Sequence, residues 1–193
     1  MRKKATCPKC GSNEGLPILY GMPTDEAFKA AEDGEIALGG CTIIEGMSPD
    51  YYCSECGYSW KKMSKYGLVA IEAVSNYQNQ KDKNPGLAWD SAVAEFFPKS
   101  KSYREKIGPK STFLGLCEEG LVEGIPKGKY LKGRNQDENK AYAIKAVNLL
   151  KENPYFKSSA NSLWNYVVEP DSKPHNRQMN VVIALWNYGL IKK

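Results

Sequence analysis

Along the C-terminal two thirds of the chain, apolar residues recur at spacings of three and four, the period of helices with one buried face. Ser64 precedes such a run and predicts a capped helix through Tyr77. Asn84-Pro85 opens a second, with proline in its first turn, that carries Leu87, Trp89, Val93 and Phe96 until Pro98 stops it. A third is expected from Lys110 to Glu119 through Phe113, Leu114 and Leu116, and Gly120 releases it into Leu121-Val122. The pattern then restarts, with helices expected over residues 138–152, 159–168 and 174–188. The N-terminal third reads differently. Residues 15–22 predict a strand, Thr24 with Asp25 and Glu26 starts a helix that Gly34 closes, and residues 36–44 predict a returning strand.

The restart is an internal repeat. Ala70-Ile71-Glu72-Ala73-Val74 returns as Ala143-Ile144-Lys145-Ala146-Val147, Trp89 as Trp164, and Gly120-Leu121-Val122 as Gly189-Leu190-Ile191. Self-similarity at this scale marks a duplicated supersecondary unit. Each copy reads as three helices followed by glycine and two aliphatics, an order that resembles a winged helix. In the first copy, residues 121–134 add a candidate wing around the turn Pro126-Lys127-Gly128. The expected organisation is residues 1–62, 63–134 and 135–193.

Two matched couplets carry the clearest chemistry. Cys7-Pro8-Lys9-Cys10-Gly11 and Cys53-Ser54-Glu55-Cys56-Gly57 are both C-x-x-C-G turns, and glycine after the second cysteine lets the chain curl back. Together Cys7, Cys10, Cys53 and Cys56 supply the four sulfurs of a tetrahedral structural zinc site. A redox couplet needs only one such turn. No apolar leader separates Met1-Arg2-Lys3-Lys4 from the first couplet, and no run is long enough to cross a bilayer. The expectation is a cytoplasmic protein, where thiols stay reduced and paired couplets hold metal. Cys41, after Gly39-Gly40, reads as a small buried residue in a bulged strand rather than a reactive thiol or spare ligand. Cys117 reads as core.

Charge separates the two parts. Residues 1–62 hold seven Lys/Arg against nine Asp/Glu, a balance of −2, whereas residues 63–193 hold twenty against thirteen, a balance of +7. The basic residues cluster as Lys99, Lys101, Arg104, Lys106 and Lys110 before the third helix. Lys127, Lys129, Lys132 and Arg134 follow along the candidate wing, and Lys173 and Arg177 precede the last helix. In helix-turn-helix proteins these are the places that meet phosphates and base edges.

The first 60 residues resemble a zinc ribbon with a helix inserted between its central strands. The rest resembles an uncharacterised bacterial domain family, through Phe113-Leu114-Gly115-Leu116-Cys117-Glu118-Glu119-Gly120-Leu121-Val122 and Gly124-Ile125-Pro126. That resemblance implies fold and a bacterial or phage origin, and it brings no catalytic residue with it. The expected fold class is therefore α+β, a zinc ribbon followed by a mainly α domain of two winged-helix-like repeats.

Enzyme signatures are missing. The one histidine, His175, sits in a lysine- and proline-rich segment and reads as a solvent-facing residue at a helix start, and no phosphate loop, nucleophile elbow or HExxH occurs. The expectation is a zinc-containing, non-enzymatic protein that binds nucleic acid. The alternative is a protein-interaction adaptor in a larger bacterial or phage complex, presenting Tyr51, Tyr52, Tyr58 and Trp60. Neither reading involves a membrane, and the sequence indicates no oligomeric state.

Overall fold

Strand β1 (Gly15–Leu19) is the centre of the N-terminal unit, Met1–Lys62. In the computed structural model, which describes residues 4–44, 48–81, 83–132, 137–171 and 173–192, β1 has neighbours on both sides. β3 (Tyr51–Cys53) runs antiparallel to it with Tyr52 opposite Leu16, and β4 (Ser59–Trp60) extends the sheet with Trp60 opposite Tyr51. On the other side, β2 (Ala37–Leu38) lies parallel, Ala37 opposite Ile18. A parallel neighbour needs a crossover, which α1 (Asp25–Glu32) supplies. Thr24 caps α1 as expected, its Oγ1 accepting the Ala27 N–H at 3.3 Å.

The returning strand is shorter than its apolar run. Gly39 lies against Ile18 and Tyr20 so closely that a Cβ would come within 2.5 Å of both side chains, and Gly40 then turns the chain at φ 79°. Beyond that turn Cys41, Ile43 and Ile44 are exposed, so Cys41 is not the buried strand residue its flanks suggest. Among the described residues of this unit, Cys7, Leu16, Ile36 and Cys53 are the buried hydrophobics, and α1 buries none of its residues.

The C-terminal unit, Met63–Lys193, is helical. Its first triplet is α2 (Lys65–Asn79), α3 (Pro85–Phe96) and α5 (Ile107–Glu118), with a one-turn α4 (Lys101–Arg104) before the third. The second is α6 (Asp137–Glu152), α7 (Ala160–Val168) and α8 (Gln178–Asn187), with a 3₁₀ turn at Pro154–Ser158. Side chains of Ser64, Asn84 and Ser159 accept the first-turn N–H groups of α2, α3 and α7. The triplets interlock. α2 packs on α8 as well as α3, and α6 packs on α5 as well as α7, so the first helix of each triplet meets the third of the other. One core results, with Trp89, Phe113, Leu116, Leu150, Leu163, Met179 and Leu185 fully buried. Val122 and Ile191, the aliphatics after each third helix, pair in an antiparallel bridge.

That bridge changes the expected wing. Val122 pairs with Ile191 and not with the run after Pro126. The Glu118 carboxylate instead accepts the N–H groups of Tyr130 and Leu131 at 2.7 and 2.8 Å, and the Tyr130 hydroxyl donates to the Pro126 carbonyl at 2.9 Å. With those donors taken, the segment is an anchored loop rather than a hairpin.

Candidate metal centre and basic cleft

The two couplets fold alike. In each, the glycine N–H returns to the carbonyl of the first cysteine, Gly11 to Cys7 and Gly57 to Cys53, both at 2.9 Å. The first cysteine's own N–H bonds five residues ahead, Cys7 to Ser12 and Cys53 to Tyr58, both at 2.8 Å. Gly11 and Gly57 take φ of 75° and 70°, where a Cβ is strained. The β1–β3 pairing sets Cys53 opposite Gly15 and so brings the knuckles together.

The four sulfurs of Cys7, Cys10, Cys53 and Cys56 all lie within 4.8 Å of one another, an arrangement that could hold a metal ion. Cys7 to Cys56 and Cys10 to Cys53 are each 3.7 Å apart, far beyond the roughly 2.05 Å of a disulfide. Ser12 stands over the cluster, its hydroxyl 3.2 Å from Cys10 Sγ and 3.4 Å from Cys53 Sγ. That hydroxyl lowers the Cys53 thiol to about 6 and also lowers Cys10, with help from the Ser12 backbone. The Tyr58 amide pulls Cys56 down, but burial and the sulfurs of Cys10, Cys7 and Cys53 push it up to about 12. A cation held among converging sulfurs favours their thiolate forms. Cys41 is outside the cluster. Cys117 is core, and burial raises its thiol.

The predicted basic residues part company. Arg104, Lys106, Lys110, Lys129 and Lys132 line one cleft of about 470 Å³ at the start of α5, shared with Asp90, Glu105 and the almost wholly buried Ser111. Lys106 is the N-cap residue of α5, which has no side-chain cap and no acidic residue in its first turn. Its amide dipoles therefore add to the positive field. Lys110 pairs with Asp90 at 2.6 Å, and Lys101 with Glu105 at 3.7 Å. Lys99 and Arg177 line a neighbouring cleft of about 630 Å³.

Others lie elsewhere. Lys127 is paired with Glu119 at 3.1 Å, and Lys173 is bound to Glu138 and Tyr142, contacts that raise its pKa, Glu138 first. Arg134 lies outside the described residues. His175 is not the solvent-facing residue expected. It is half-buried, its ring tilted against Trp164 at 5.5 Å, and its Nε2 accepts the Met179 N–H at 3.2 Å, a helix-capping role.

Sequence reasoning missed two features. Glu118 anchors the loop from inside α5, and a glutamate twelve and thirteen residues before its partners gives no local signal. Phe97 and Tyr103 stack at 5.2 Å with planes 14° apart, although neither is among the apolar positions that marked the helices.

The fold and cluster define a two-unit protein, a small sheet closed by a four-cysteine cluster followed by an interlocked helical unit. Residues 63–192 match a family of unknown function (DUF6979), and the chain belongs to that family. No curated protein and no solved structure matches it. Among the described residues, no helix is long and apolar enough to cross a membrane.

Proposed function

We propose that this is a non-enzymatic nucleic-acid-binding protein whose N-terminal unit is a zinc ribbon. For the metal, the support is dimensional. Zinc bound to sulfur at about 2.3 Å places tetrahedral sulfurs about 3.8 Å apart, and two pairs here stand at 3.7 Å. Four thiolates leave no open position, so the ion is structural.

The observation that carries the binding reading is the cleft at the start of α5. Arg104, Lys106 and Lys110 reach it from one segment, and Lys129 and Lys132 from a loop some twenty residues further on. Five cations against Asp90 and Glu105, at an uncapped helix start, suit a chain of phosphates. The helix order retains the winged-helix-like reading of each triplet, but not its usual docking. α5 is buried at Pro109 and from Ser111 to Cys117, so it cannot lie in a major groove. Contact through the backbone at its N-terminal end is the mode that remains.

The test is fluorescence anisotropy of labelled oligonucleotides with the whole chain at 50 and 200 mM salt. Binding is expected to weaken steeply with salt, and Arg104→Glu with Lys106→Glu to abolish it at low salt. If that variant binds like the parent, the cleft is not the site. A second reading, an adaptor, is favoured by the exposed Met22, Phe28, Leu38, Ile43 and Ile44 in the N-terminal unit. Failure of all nucleic acids to bind at low salt selects it.

A further inference from the structure

We propose that the ring pair Phe97–Tyr103 is a base-stacking platform, and that the polynucleotide bound is single-stranded, running from this platform past α4 into the basic cleft. The inference rests on the nucleic-acid reading above and specifies its ligand.

The platform is built rather than incidental. The Tyr103 side of the pair is 52% exposed, so part of its ring is open to solvent. Its backbone is nonetheless fixed, because the Tyr66 hydroxyl, itself on a buried residue, donates to the Tyr103 carbonyl at 2.8 Å. Phe97 is braced from behind by the Tyr66 ring at 5.0 Å and covered by the Lys65 ammonium, 5.3 Å from its centroid. An exposed aromatic face held in place offers a π-surface to any base without choosing among them.

The surroundings match the rest of a nucleotide. Lys99 and Arg177 border the platform's cleft, where they can meet the sugar-phosphate of a stacked base. Tyr103 lines this cleft and the next residue, Arg104, lines the basic one, so adjacent residues of α4 serve the two clefts. Glu105, the next residue, has the Lys101 ammonium 3.7 Å from its carboxylate. A duplex keeps its bases paired and stacked on one another and has none to give the platform. A single strand satisfies both clefts.

The experiment uses fluorescein-labelled oligo-dT, oligo-rU and a hairpin duplex of equal phosphate number, with polyphosphate as competitor. The single strands are expected to bind at least tenfold tighter than the duplex, and the dT and rU arms say whether DNA or RNA is preferred. Tyr103→Ala is expected to weaken single-strand binding about tenfold, a typical loss for one stacked base, while leaving the salt slope unchanged because no charge is lost. Tyr103→Trp should keep the affinity, and Tyr103→Leu, which fills similar space without a π-face, should lose it. Circular dichroism of each variant separates these losses from misfolding. Duplex bound as tightly as single strands, or Tyr103→Ala and Tyr103→Leu both binding like the parent, overturns the platform while leaving the cleft intact. Loss of charge-reversal sensitivity at Arg104 and Lys106 would instead remove the underlying reading.

Discussion

Gly115 lies so close to Lys140 that a Cβ at that position would sit 2.7 Å from the lysine's Cβ and 2.9 Å from its Cα. This contact is where α5 crosses α6 and so where the two triplets lock. Alanine is the better helix former by about 1 kcal/mol, yet here it has to push a backbone atom away. Gly115→Ala is therefore expected to destabilise the protein by about 1–3 kcal/mol, the range for overpacking. Urea denaturation followed by helical circular dichroism checks it, and a stabilised variant would mean the crossing is looser than described.

Removing a ligand from the cysteine cluster should empty it. Cys56→Ser is expected to bring zinc below half an equivalent per chain, while Cys41→Ser, on an exposed residue beyond the Gly40 turn, leaves a full equivalent. Chelation should disturb tyrosine and tryptophan signals from Tyr51, Tyr58 and Trp60, which stack beside the second knuckle. It should spare most helical signal, since the helical unit has its own core. Elemental analysis and near- and far-ultraviolet dichroism are the measurements.

His175 makes stability depend on pH. Burial, then the charges of Arg177 and Lys106, lowers its imidazole to about 4 from a usual value near 6.5. As an acceptor from the Met179 N–H it must stay neutral at Nε2. The unfolded chain takes up the proton first as pH falls, so this contribution is whole above about 6.5 and lost between about 6.5 and 4. His175→Gln has no proton to gain there and should flatten that part of the stability profile. An imidazole resonance titrating near 6.5 in the folded protein would contradict the capping role.

Glu118 should matter more than its surface-like composition suggests. Burial raises its carboxyl, but the Leu131 amide, the Lys140 ammonium and the Tyr130 amide hold it below the usual carboxylate range. Glu118→Ala strands two half-buried N–H groups and leaves Lys140 only its pair with Glu119 at 2.7 Å, and is expected to cost about 2 kcal/mol. Hydrogen exchange at Tyr130 and Leu131 should quicken well before that of the α5 core. Unchanged exchange at both would show that the loop is held by something else.

Local chemistry was the legible part. Thr24, Ser64 and Asn84 each cap a helix through a bond reaching only two or three residues, so their neighbours suffice to announce them. The couplets are equally local, and matching turns can meet around one ion whatever the 42 residues between Cys10 and Cys53 do. The last helix was less legible. It was expected from residue 174 and starts at Gln178, because Arg177 takes a left-handed φ of 72° and His175 supplies the cap.

What the amino-acid order determined by itself was the longer helices, though not the one-turn α4 or the 3₁₀ turn, together with the paired cysteine turns and the burial of Trp89, Trp164 and Cys117. Each follows from periodicity or spacing within a few turns of chain. Tertiary structure decided the exposure of Cys41, the anchoring of residues 130–131 on Glu118 and the gathering of Arg104, Lys106, Lys129 and Lys132 around one cleft. It also decided that α2 meets α8 and α6 meets α5. An amphipathic stripe states that a face must be buried and is silent on its partner, and only the packing of all the stripes at once selects which helix covers which.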